Sequence, residues 1–169
     1  MDNGTISINS SGRCVSATVT RTADTNVYAT NDVIGPATGS TAAITISGLG
    51  AANETVQITD TTFLVALTAV PATMTSFTLH LYNVTPPSAL GDNVAWDLPS
   101  GDRASYLGSV TLGTPADIGA SLYIQTTGLL KTVKLGAGGN LFAYLVTVGT
   151  FTPTSAEVYQ LSVCAHSFV

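Results

Sequence analysis

The sequence predicts an all-β protein: an antiparallel β-sandwich, jelly-roll-like, with about nine or ten strands and a polar N-terminal arm. Three observations predict it. Short stretches alternate apolar and polar residues with a period of two, the pattern of a strand with one buried face, and Phe77, Leu79 and Leu81 against Thr78, His80 and Tyr82 are the cleanest case. Turn-formers separate these stretches, drawn from 16 Gly and 7 Pro. No stretch supports a stable helix; Ser88–Ala95 and Ala116–Ser121 suit one helical turn each at most. With 169 residues and no internal repeat, the chain reads as an arm over residues 1–12 and a single β-sandwich domain over residues 13–169.

Residues 1–12, MDNGTISINSSG, are polar and read as an arm or a loosely held first strand. Val15, Ala17 and Val19 alternate with Ser16, Thr18 and Thr20 and predict the first firm strand, which turn-formers break between Arg21 and Asn31. Inside that break Asp24-Thr25 suits a capped turn, and Tyr28 supplies a bulky anchor before Asp32-Val33-Ile34 resumes extended chain. A loop over Gly35–Ser40 leads to a strand at Ala42–Ser47 and a turn at Gly48-Leu49-Gly50, which completes neither a dinucleotide fingerprint nor a P-loop. Val56 and Ile58 mark the next strand; Asp60-Thr61-Thr62 suits a bend before Phe63, Val65 and Leu67 carry a further buried face.

After the strand Phe77–Tyr82 comes a long connection, residues 83–105, holding Pro86-Pro87, Gly91-Asp92, Leu98-Pro99 and Ser100-Gly101-Asp102. Connections this long in compact domains usually act or make contact, so purpose is sought there first. Tyr106–Leu112 is strand-like, Leu122 and Ile124 sit at strand spacing, and Leu129–Leu135 suits another short strand. Gly136–Asn140 connects to Leu141–Val148, which is apolar on both faces and so belongs mid-sheet or under a partner. Val158–Phe168 closes the fold with Tyr159, Leu161 and Val163 inward.

Charged residues are 9% of the chain, against roughly 25% in ordinary soluble domains, while hydrophobic residues reach 45% and mean hydropathy is +0.38. A surface so poor in charge is weakly protected against association, which suggests one pressed against other subunits. The net charge of −5 comes with five scattered basic residues, Arg13, Arg21, Arg103, Lys131 and Lys134, and no basic patch to neutralise phosphates, so nucleic acid is not an expected partner. No apolar run spans a bilayer and the N-terminus lacks the regions of a signal peptide, so the expectation is no membrane and synthesis in a cytoplasm. Cys14 and Cys164 fall in the first and last strands, which often share a sheet, so a bridge is geometrically possible. Without a secretion signal, however, they read first as small buried hydrophobes.

Residue types that carry chemistry are few. His80 and His166 are the two histidines, both read as surface or interface residues, and no G-x-S-x-G elbow accompanies them. Asp92, Asp97 and Asp102 crowd one connection but lack the spacing of a calcium loop, and turns select Asp for local hydrogen bonds. The expectation is therefore no enzyme, with no catalytic, cofactor or metal residue. Trp96, with Tyr106 near it, suits a subunit contact, stacking on a sugar ring or packing within the chain.

Two segments, ATVTRTADTNVYATNDVIG (Ala17–Gly35) and FTLHLYNVTPPSALGDNVAWDLPSGDRASYLGSV (Phe77–Val110), resemble parts of small structural proteins of tailed bacteriophages, similar to head decoration or cement proteins. The resemblance covers about a third of the chain. It implies a jelly-roll-like virion protein on the outer surface of the capsid, assembled in the host cytoplasm, commonly a homotrimer, that bridges subunits of the major capsid protein and carries no catalytic residue. The arm and the long connection would make the contacts, with Tyr82, Pro86, Pro87, Trp96, Leu98, Arg103 and Tyr106 as candidate contact residues. The alternative is a carbohydrate- or receptor-binding module of a tail or head fibre, using Trp96 and Tyr106 as stacking platforms.

Overall fold

The computed structural model describes residues 12–36 and 41–168, so the expected arm lies outside the described residues, save Gly12, which begins a strand. The strands are β1 (Gly12–Thr20), β2 (Val33–Ile34), β3 (Ile44–Ser47), β4 (Thr55–Val65), β5 (Phe77–Tyr82), β6 (Tyr106–Thr111), β7 (Ala116–Asp117), β8 (Leu122–Thr126), β9 (Lys131–Lys134), β10 (Asn140–Thr147) and β11 (Val158–Ser167). As expected, no helix occurs among the described residues, and neither segment allowed a single turn forms one. Ala116 and Asp117 instead pair with Tyr123 and Leu122, adding a short strand the alternation rule had too few residues to reveal.

The strands make two antiparallel sheets packed as a β-sandwich. One runs β1-β11-β4-β8-β7, with β9 also on β4; the other runs β2-β10-β5-β6, with β3 also on β10. The two short runs expected around Val56 and Phe63 are one strand, β4, long enough to hold β9 along its first half and β8 along its second. The expected bend is a register shift instead. Asp60 pairs with Cys164 and Ile58 with Ala165, so Thr59 is an extra residue bulged out of the ladder.

Between the sheets lies the main core, and side-chain parity explains its membership. Val56, Ile58, Phe63 and Val65 of β4 and Tyr159, Leu161, Val163 and Ala165 of β11 face Phe77, Leu79 and Leu81 of β5 and Leu141, Ala143 and Leu145 of β10, all buried. Phe63 stacks on Tyr159 at 5.8 Å between ring centroids and meets Phe77 edge-on at 5.1 Å. The thermodynamic drive is the burial of these rings and branched chains, roughly 1.5–3 kcal/mol for each large apolar side chain.

The cysteines correct an expectation. They are not buried hydrophobes: Cys14 is exposed, Cys164 half-buried, and the two form a disulfide across directly opposed positions of β1 and β11. The reason is parity again. Val15, Ala17 and Val19 face the core, so Cys14 must face out; Val163 and Ala165 face the core, so Cys164 must too. Neighbouring outward residues Ser16 and Ser162 add a hydroxyl–hydroxyl bond of 2.5 Å.

The bridge joins positions separated by 150 residues. Chain-entropy reasoning assigns a loop of that size about 5 kcal/mol of stabilisation as an upper figure. The Cys14→Ser/Cys164→Ser double variant is expected to lower stability by about 2–5 kcal/mol in denaturant titration. A denatured, unreduced sample should titrate no free thiol, and two thiols there would show the bridge does not form.

Candidate functional site

The outward face of the second sheet is covered by the chain's own connection. On β5, His80 and Tyr82 point away from the main core; on β10, Tyr144 and Val146 do the same, and Val33 of β2 joins them. Residues 83–105 fold back over this face, and Leu90, Trp96 and Leu98 pack against it with Tyr106 to build a second apolar cluster. This explains why Leu141–Val148 is apolar on both faces: β10 has one core on each side.

Backbone bonds seat the connection as an extra extended segment beside β2. Asn93 N–H donates to the Val33 carbonyl and Val33 N–H to that of Val94, each at 2.9 Å; Trp96 N–H donates to the Asn31 carbonyl at 2.7 Å. Tyr144 Oη donates to the Ser88 carbonyl at 2.8 Å and accepts from Leu90 N–H at 3.2 Å. A buried tyrosine hydroxyl needs such a partner.

Three aspartates expected to be surface turn residues act separately. Asp92 accepts from Tyr28 Oη at 2.5 Å, from Gly35 N–H at 3.0 Å and from Arg21 Nη2 at 3.4 Å. Asp102, fully buried, accepts from both the hydroxyl and the backbone N–H of Ser88, while its own carbonyl accepts from Ser105 and Tyr106 N–H at 3.1 Å each. Asp97 is exposed and caps Leu98 N–H at 2.7 Å. Among the described residues no group of three or more metal-ligating side chains converges.

Arg21 is the residue the sequence reading undervalued. It was one of five scattered cations, yet its side chain is 1% exposed. Its Nε donates to Tyr28 Oη at 3.0 Å, Nη1 to the Asp24 and Thr154 carbonyls at 2.6 and 3.4 Å, and Nη2 to Asp24 Oδ1 at 2.8 Å as well as to Asp92. Burial opposes its charge, but the bonds to Tyr28 and Asp24 outweigh it and hold the guanidinium more firmly protonated than usual. Asp24 is correspondingly held below the ordinary carboxylate value, first by Asn26 N–H and then by Arg21. Burial raises Tyr28 well above an ordinary phenol. A signal was present: Arg21 continues the inward parity of Val15, Ala17 and Val19, and an inward charge requires partners.

His80 is also misplaced by the surface expectation. It is 8% exposed, its ring stacks on Trp96 at 3.5 Å between centroids, and its Nδ1 lies 3.0 Å from Tyr106 Oη. Burial pulls its pKa down from 6.5 to about 4. His166 is exposed, as expected.

The candidate contact residues therefore divide. Tyr82 is 0% exposed, its hydroxyl accepting from Trp96 Nε1 at 3.3 Å, and Pro86 is buried; both are internal, which corrects their assignment to a contact surface. Trp96, Leu98 and Tyr106 are half-buried, each with one side in the second cluster. Pro87 and Arg103 are fully on the surface. The connection thus presents a fixed rim of Pro87, Leu98, Arg103 and the outer edges of Trp96 and Tyr106.

The chain matches no known protein-family model and no curated protein. Among solved structures, the K3 cleaved adhesin domain of Lys-gingipain from Porphyromonas gingivalis aligns over 91% of this chain and 73% of its own, at 17% identity and a TM-score of 0.30. The full particle of Israeli acute paralysis virus, heated to 63 degrees, aligns over 97% of this chain and 75% of its own, at 14% identity and a TM-score of 0.30. Scores this low carry no argument about fold or function.

Two outcomes are expected. Asp92→Ala leaves Arg21 with one carboxylate, costs about 2–3 kcal/mol, and opens residues 83–105 to protease before the sandwich unfolds; an unchanged digestion pattern would show that the pin is not needed. His80 gives a pH dependence. Its folded pKa lies below its unfolded one, so between pH 6.5 and about 4 the unfolded chain binds a proton that the folded chain refuses, and stability falls with pH across that window. Urea titrations of the wild type and His80→Gln should diverge there, by about 3 kcal/mol at most.

Proposed function

We propose that this chain is a structural protein of a bacteriophage virion that binds the outer surface of the capsid and stabilises it by bridging major capsid subunits. The observation that carries the reading is the connection over residues 83–105. It is long, rich in Pro and Gly, tied to the body by Asp92 and by backbone bonds to Asn31 and Val33, and braced internally by the Asp102–Ser88 bonds, yet among the described residues it turns no converging set of metal-ligating groups outward. Such a segment suits presentation of a rigid contact rim better than chemistry. The resemblance of Ala17–Gly35 and Phe77–Val110 to phage head decoration proteins points the same way, and a net charge of −5 suits the outside of a DNA-filled shell better than its interior.

The strand order supports the jelly-roll form of the sandwich. Taking β2 with β3 and β8 with β9 as interrupted single strands, and setting aside the two-residue β7 on the edge of β8, the sheets read β1-β11-β4-β8 and β3-β10-β5-β6, two antiparallel sheets of four. Capsid proteins and lectins both use this architecture, so it favours the virion reading without separating it from glycan binding. The half-exposed Trp96 ring, 6.1 Å from that of Tyr106, is what favours a carbohydrate- or receptor-binding module as second reading.

Purified chain mixed with undecorated phage heads should cosediment with them, and Arg103→Glu with Pro87→Asp should reduce retention at least about tenfold while leaving the melting curve unchanged, since both positions are surface rim. No retention of the wild type would overturn the capsid reading. Binding on a glycan array in its absence would favour the second.

A further inference from the structure

We infer that the outer edge of β1 is an interface for a second copy of this chain, paired antiparallel to itself. The argument starts from how the sheet edges are finished. Exposed edges invite strand addition, and proteins blunt them with short strands, charges, proline, bulges or cover. The other outermost strands are all blunted in this way. β2 spans two residues and is covered by Asn93 and Val94; β7 spans two and follows Pro115; β3 spans four. β9 carries Lys131 and Lys134 at its ends. β6 holds Gly108 at φ +92, and its pairing with β5 shifts register beside it.

Among the described residues, nothing covers β1 from Gly12 to Thr18, and its one blunting device is a single charge. It is a nine-residue strand paired with β11 without any shift of register, contains no proline, and carries one charge, Arg13. At its far end Arg21 bridges to Pro36, so the open stretch is Gly12 to Thr18. The inner ladder, the Cys14–Cys164 bridge and the Ser16–Ser162 bond hold it extended. A pre-ordered edge is the kind that gains a strand at low entropic cost.

The donors on that edge can be named. Arg21 N–H donates to the Glu157 carbonyl at 3.0 Å, continuing the register in which Val19 faces Tyr159 and Val15 faces Val163. Hydrogen-bonded pairs alternate along an antiparallel ladder, so the odd-numbered residues bond to β11 and the N–H and C=O groups of Cys14, Ser16 and Thr18 point outward. On the inner side, Val15 and Ala17 are only half-buried, and a groove of 210 Å³ continues their row between β1 and β3, bordered by Val19, Ala42 and Ile44.

A second β1 fits this edge in sequence and in charge. Running antiparallel with Val15 at the two-fold axis, outward groups of Ser16 meet those of the partner's Cys14, and Val15 packs against its own copy. Arg13 then lies against the partner's Ala17; parallel pairing would set Arg13 against Arg13. The contact is isologous and closes as a dimer. It does not rest on the capsid reading: a chain that dimerises without binding heads keeps this interface and loses that function.

The test uses the full chain. Light scattering after gel filtration should give a dimer that dissociates on dilution. Amide exchange should show Cys14, Ser16 and Thr18 protected in concentrated samples only, with Val15, Ala17 and Val19 protected throughout. Ser16→Pro removes one outward N–H and leaves the β11 ladder whole, so the variant should keep its circular dichroism and raise the dimer dissociation constant at least about tenfold. A monomer at every concentration overturns the inference. So does protection of the even-numbered amides that is independent of concentration, as residues 1–11 of the same chain lying along the edge would produce. A trimer indifferent to Ser16→Pro overturns it as well.

Discussion

The placement of the connection depends on the burial of one positive charge. A guanidinium inside a protein is tolerable only if its donors are met and its charge is balanced. Arg21 meets both conditions through groups from four places in the chain: Asp24 and Tyr28 just after β1, Thr154 before β11, and Asp92 from the middle of the long connection. The first three are local or held by the sandwich. Asp92 is not, so the charge on Arg21 and the seat of the connection determine each other. Tyr28 carries the constraint inward, since its ring packs on Phe151 at 5.2 Å and Phe151 meets Phe77 at 6.2 Å, in the main core. The two apolar clusters are thereby coupled through a polar node.

How much of this the sequence disclosed follows from the range of the forces involved. Alternation is a local property, so β5, β10 and β11 were legible with the right faces inward, and β10 was legible as buried on both. The sandwich class follows from those strands and the turns between them. The fusion of the Val56 and Phe63 runs into β4 was not legible, because Asp60-Thr61-Thr62 interrupts the apolar pattern while the backbone continues straight past a bulge at Thr59. The strand continues there because β11 pairs along its length and β9 and β8 pair with its two halves, and those neighbours are remote in sequence.

The candidate site was legible in position but not in kind. Length, Pro and Gly mark residues 83–105 as a long connection, and the structure shows it folded back over the second sheet. Tyr82, Pro86 and His80 were nevertheless assigned outward, because a strand's second face is exposed by default and nothing local says that a loop returns to cover it. The signal was the joint occurrence of aromatic residues at outward positions of β5 and β10, Tyr82 and Tyr144, whose rings meet edge-on at 5.7 Å. The disulfide was lost by a different route. Both cysteines lie on strands expected to share a sheet, which made a bridge geometrically possible, but the compartment argument favoured small buried hydrophobes; the inward row Val15, Ala17 and Val19, which forces Cys14 outward, was the overlooked signal. A cytosol keeps thiols reduced, but that rule concerns the compartment and not where two cysteines lie in a sheet.

The second apolar cluster also changes what composition means for partners. A chain with 9% charge and 45% hydrophobic residues suggested a surface covered by other subunits. Much of that apolar content is consumed internally, because the second sheet has a core on each face and Tyr82, Tyr144, Val33 and Val146 are buried under the chain's own connection. Bulk composition therefore argues less for external contacts than it did before the fold was known. Two particular places remain available for contact: the rim formed by Pro87, Leu98 and Arg103, and the edge from Gly12 to Thr18, uncovered among the described residues. The rim is held by Asp92 and by backbone bonds to Asn31 and Val33 and is braced internally by Asp102, and the edge is held by β11 and a disulfide. A surface already ordered in this way loses little conformational entropy on contact, so either place would bind a partner at a lower ordering cost than a mobile loop.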